Sequence, residues 1–134
     1  MSKESLIEIA KELGFANNEI AVPLDEYFTG NNVIGSIIPN SYPDEVDPQK
    51  LYSFLKGMKE NNIAQEVLVR ICEIDEDWPY SDSIYVYTSL SAIELEKEFE
   101  KFSPDEICDG WMYGEPKGKV DILSPNKVYT IWWD

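Results

Sequence analysis

Three segments of this chain alternate with a period of two, each with at least one face to bury in a sheet and the last apolar on both, and that property limits the folds open to it more than any other. Gln65 to Ile74 sets Val67, Val69 and Ile71 against Leu68, Arg70 and Cys72, and Ser83 to Thr88 sets Ile84 and Val86 against Tyr85 and Tyr87. Lys127 to Asp134 sets Val128, Thr130 and Trp132 against Tyr129, Ile131 and Trp133. Successive side chains of a strand point to opposite faces, so a strand apolar in both registers is either central or covered. The first two segments are joined by an acidic loop with Asp75, Glu76, Asp77, Trp78, Pro79 and Asp82, which predicts an antiparallel pair.

Helical spacing supplies the covering elements. Leu6, Ile9, Ala10 and Leu13 recur on one face of Ser2 to Leu13, with Gly14 where a C-terminal cap falls. Asp47-Pro48 opens a stronger helix whose apolar face is Leu51, Phe54, Leu55 and Met58. Ser91 and Glu94 have capping-box spacing ahead of Ala92, Leu95, Phe99 and Phe102. Pro23 to Gly30 reads as one or two helical turns, and Val33 to Ile38 as a short strand. Ser103-Pro-Asp-Glu106 repeats the cap chemistry and predicts another short helical turn ending near Gly110.

Together these elements predict one α+β domain over residues 1–134, of ordinary single-domain length, with residues 1–20 as a helical extension. The expected sheet is four-stranded and mainly antiparallel, with helices packed on it. The strand–helix–strand–strand–helix–strand order is that of ferredoxin-like folds. An antiparallel meander with helices on one face is the alternative.

Charge narrows function. Twenty-six acids against eleven bases leave a net charge of -15, and there is no histidine. Such a surface repels a phosphate backbone or an anionic membrane, so neither nucleic acid nor membrane is an expected partner. The chain also lacks the commonest general base and transition-metal ligand. Aromatic residues at 13% of the chain set it apart from disordered acidic tails. Cys72 and Cys108 form no CxxC pair, which fits reduced thiols and cytoplasmic residence. No apolar run approaches the length of a membrane span.

Few motifs carry chemistry. The acids of the Glu73 to Asp82 loop lack the glycine turn and terminal glutamate of a calcium-binding EF-hand, and solvated loop acids are the plainer reading. The glycines match no phosphate-binding loop, so no cofactor is expected. Cys72 sits mid-strand among apolar residues and has no histidine to activate it. The four tryptophans, Trp78, Trp111, Trp132 and Trp133, all lie in the C-terminal half, as a core corner or a binding hot spot.

Several phrases are similar to those of a known group of proteins: Pro23-Leu-Asp-Glu-Tyr-Phe-Thr-Gly-Asn31, Trp78-Pro-Tyr-Ser-Asp82, Ser103-Pro-Asp-Glu106, Gly110-Trp111 and Ile131-Trp-Trp-Asp134. Over about residue 22 to the end they resemble a family of small bacterial proteins described only as hypothetical. The resemblance implies a bacterial, cytosolic single domain and carries over no catalytic residue.

The first functional expectation is a non-enzymatic protein-binding module, inhibitor-like or immunity-protein-like, whose acidic face meets a basic protein. Its partner-binding residues would be Asp75, Glu76, Asp77, Trp78, Asp82, Trp111, Trp133 and Asp134. Against it stands the plain alternative that surplus charge only keeps the protein soluble. The second expectation is a small-molecule binder or carboxylate enzyme with Trp78, Asp82, Glu106, Trp111 and Asp134 around one acidic aromatic pocket. Self-association through a strand edge or aromatic patch is a third.

Overall fold

A computed structural model describes residues 3–38, 46–74 and 77–134. The elements are α1 (Lys3–Glu12), β1 (Ala21–Pro23), α2 (Leu24–Phe28), α3 (Pro48–Glu60), β2 (Glu66–Arg70), β3 (Ser83–Thr88), α4 (Ala92–Glu98), β4 (Glu106–Asp109) and β5 (Lys127–Trp132). The domain is α+β. Its sheet runs β1-β2-β3-β5-β4, and every neighbouring pair is antiparallel.

The helices start where local chemistry dictates. The Asp47 carboxylate accepts the Gln49 N–H at 2.9 Å and Pro48 follows the cap, so α3 begins with its orphan donors partly satisfied. Ser91 and Glu94 close both halves of their capping box at α4. Leu51, Leu55 and Met58 from α3, Leu95 from α4, and Leu6 and Ala10 from α1 are buried against one face of the sheet. They meet Val67, Val69, Ile84, Val86, Tyr129 and Ile131 in the main core. The N-terminal helix is thus built into that core.

The opposite face carries a second cluster of Ala21, Leu68, Tyr85, Tyr87 and Val128, roofed by Trp111. Trp111 stands edge-on to Tyr85 at 4.9 Å and to Tyr87 at 5.8 Å between ring centroids. The long loop after β4 therefore does the covering that the doubly apolar strands require. Tyr87 fixes it further by donating its hydroxyl to the Val120 carbonyl at 2.7 Å.

Three expectations need correction. The sheet has five strands, not four, and its order is not the ferredoxin-like one: β3 pairs directly with β5, where that equally antiparallel arrangement would seat the strand expected at Val33 to Ile38 between the two. Within Val33 to Ile38, the chain makes only one bridge, Ile37 to Ser81, because Gly35 and Ile38 turn through positive φ (93° and 54°) and interrupt extended pairing. Ile37 and Ile38 are buried all the same, held through the Tyr27 hydroxyl between the carbonyls of Ser36 (2.8 Å) and Pro79 (2.7 Å). The strand missing from the reading is β1, three residues long and too short to show alternation. Finally, Ser103 adopts φ 48°, ending the 3-10 turn Glu100–Phe102, and the chain goes on into β4 at Glu106 where a helical turn was expected.

Candidate functional site

The register gathers one end of the sheet. Ala21 lies opposite Arg70, Ser83 opposite Trp132, and Trp132 opposite Glu106. The β2–β3 connection leaves from the same end, tied by the Glu73 to Tyr80 bridge. Glu19, Glu73, Asp77, Asp82, Asp105, Glu106 and Asp134 therefore flank a single sheet end.

Arg70 is the hub of this end. Its Nε donates to Glu19 Oε1 at 2.7 Å, its Nη1 lies 3.4 Å from Asp82 Oδ1, and its guanidinium stands 3.6 Å from the Tyr113 ring centroid. A partly desolvated cation over an aromatic face is worth about 1 kcal/mol, so Tyr113 pins the β4–β5 loop to the sheet. Asp82 also accepts the Ser83 hydroxyl at 2.8 Å and the Cys72 thiol at 3.2 Å. The buried Tyr85 hydroxyl finds no hydrogen-bond partner among the described residues.

These groups do not make a nucleophile. Burial pushes the Cys72 thiol up to about 12, with Asp82 adding to the rise and Arg70 only partly opposing it. Tyr80 is likewise pushed up to about 12, by burial first and then by Asp82. A thiol so placed stays protonated at neutral pH, and the thiolate is the reactive form. Arg70, set between the carboxylates of Glu19 and Asp82, reads as a structural hub that holds loop to sheet.

The named residues are distributed as follows. Asp75 and Glu76 lie outside the described residues. Asp77 and Asp134 are exposed, the Asp134 N–H donating to Asp105 Oδ2 at 2.6 Å. Asp82 is half-buried in the Arg70 cluster, and Trp111 is half-buried as the roof of the second face. Trp78 and Trp133 are core residues, 6% and 2% exposed, whose indole N–H groups donate to the carbonyls of Tyr27 (3.1 Å) and Phe102 (2.8 Å). Neither indole is presented at the surface for a partner. The tryptophan left out of the expected partner-binding residues is Trp132, half-buried, on the face opposite the main core and beside Glu106. The signal was the alternation itself: Tyr129, Ile131 and Trp133 share the helix-facing register, which leaves Trp132 on the other.

The residues assigned to an acidic pocket are not brought together. Trp78 lies in the helix-side core, Trp111 on the opposite face, and Asp82, Glu106 and Asp134 at the sheet end. Among the described residues no group of three or more Cys, Asp or Glu side chains is placed to hold a metal ion. No helix among them is long and apolar enough to cross a membrane.

Comparison with known proteins identifies relatives. A bacterial sequence, the Uncharacterized protein YfbO of Escherichia coli (strain K12), is 37% identical over 113 residues, covering 83% of this chain and 80% of its own length. No solved structure matches. The model of the Uncharacterized protein YfbO family matches residues 1–133, taking in the helix before residue 20 as well as the motifs from Pro23 onward. The chain belongs to the YfbO family, a family of uncharacterised bacterial proteins.

Proposed function

We propose that this protein is a non-enzymatic binding module whose acid-rich sheet end docks a basic protein. One observation carries the reading: the charge at the two ends of the sheet is handled differently. At the far end, Lys59 pairs with Glu66 at 2.8 Å and Lys127 with Asp109 at 3.5 Å. At the loop end, Glu19 and Asp82 already neutralise Arg70, and Glu73, Asp77, Asp105, Glu106 and Asp134 make no ion pair among the described residues. Lys117 is the other base whose backbone is stitched there, through Glu19. Unpaired charge of one sign raises the encounter rate with a partner of the other sign, by about tenfold or more at low salt. Trp132 among these acids supplies the aromatic contact on which such interfaces concentrate their affinity.

Cross-linking in cells of the source organism, with a basic protein encoded beside the gene as the first partner to examine, identifies what is bound. Stopped-flow association of the purified pair then tests the surface. With Asp77→Lys and Glu106→Lys combined, the association rate should fall about tenfold and its salt dependence should flatten. Trp132→Ala should act mainly on dissociation. Association unaltered by the charge reversals, or a partner that is not basic, overturns the reading.

A further inference from the structure

An open groove of about 660 Å³ lies between α3 and the 3-10 turn that follows α4, lined by Gln49, Lys50, Ser53, Phe54, Lys101 and Phe102. In a chain with 26 acids and 11 bases, no carboxylate lines it and two lysines do. Lys59, Arg70, Lys119 and Lys127 each have a carboxylate partner, whereas Lys50 and Lys101, like Lys3, Lys11, Lys56, Lys97 and Lys117, have none among the described residues. The Lys101 ammonium stands instead over the rings of Phe54 (4.7 Å) and Phe102 (5.4 Å).

The aromatic floor is held from behind. Phe54 packs edge-on against buried Phe99 at 5.2 Å and lies 5.1 Å from Phe102, and the Phe102 carbonyl accepts the Trp133 indole. Gln49 spends its amide on the carbonyls of Phe28 and Asn31, both at 2.7 Å, so it fixes one wall. The groove therefore combines apolar surface with two lysines that make no ion pair among the described residues, within the size range of small-molecule sites.

We propose that this groove binds a small monoanion with an apolar body, of the aryl carboxylate class. The carboxylate is drawn to Lys101 and Lys50, and the ring lies on Phe54 and Phe102. Polyanions are disfavoured because the net charge of -15 repels each added negative charge, and a bare anion gains nothing from the aromatic floor. The site shares no residue with the acid-rich sheet end and does not depend on the function proposed for that end.

Nitrogen-15 NMR titration of the full chain at low salt, with phenylacetate, phenylacetamide and acetate as probes, tests the assignment. Phenylacetate should give saturable shift changes in Gln49 to Phe54 and Lys101 to Phe102. Phenylacetamide and acetate should each bind about fivefold or more weakly, since each lacks one of the two contributions. The pair Lys50→Gln and Lys101→Gln, both exposed positions that leave the core untouched, should abolish the preference for phenylacetate over phenylacetamide while the melting temperature holds. Equal response to the neutral amide, shifts that map elsewhere, a non-saturating response, or stronger binding of a glutamate-rich peptide at the same residues overturns the proposal.

Discussion

At the scale of single residues, burial decides what each polar group can do. Cys72 accepts a hydrogen bond from Arg70 at 3.0 Å and donates one to Asp82, yet burial outweighs the nearby cation and keeps the thiol protonated. This has a consequence for stability. The thiol's ordinary value of 9.0 applies to the unfolded chain and about 12 to the folded one, so the folded state holds this proton more tightly. Stability contributed by the protonated thiol is complete below pH 9 and is lost as pH rises toward 12; Tyr80, raised from 10.0 to about 12, acts in the same window. Urea midpoints measured from pH 8 upward should fall, and Cys72→Ala should make the decline shallower. A thiol reagent at pH 8 should modify Cys72 far more slowly in the native protein than in urea. The mid-strand position expected for Cys72 is corrected: β2 ends at Arg70 and the half-buried thiol lies just beyond it, where it meets Asp82 only across the hairpin.

At the scale of elements, the loop between β4 and β5 is the unusual part. It contains no helix or strand, yet it covers Tyr85, Tyr87 and Arg70 on the sheet face opposite the helices through Trp111, Tyr113 and the Val120 carbonyl. Trp111→Ala should uncover Tyr85 and Tyr87 and cost about 2 kcal/mol, less than the usual cost for a fully buried large aromatic because Trp111 is only half-buried. Urea denaturation checks the loss, and increased binding of a hydrophobic dye to the native state checks its location. The helices were legible because caps and apolar stripes are local: Asp47-Pro48 and Ser91 with Glu94 act within a few residues. β1 and β4 were not legible. At three and four residues they are too short for alternation, and pairing with β2 and β5 overrides the cap-like chemistry of Ser103 to Glu106.

At the scale of the whole molecule, a net charge of -15 on one compact domain is a self-repulsion that folding concentrates. Sodium chloride raised from about 10 mM to about 150 mM shortens the Debye length from about 30 Å to about 8 Å, so the melting temperature should rise with salt; a flat or falling curve would show that attractive pairs such as Arg70 with Glu19 dominate instead. The chain's composition and periodicity determined the α+β class, the three capped helices, the β2–β3 hairpin and the need for cover on both faces of the last strand, because these follow from patterns local in sequence. Strand order was decided only in three dimensions, as were the pairing of Arg70, the burial of Trp78 and Trp133, and the half-buried position of Trp132 beside Glu106. Each of those depends on which distant segments a register brings into contact, and alternation reports that a face is buried without reporting what buries it.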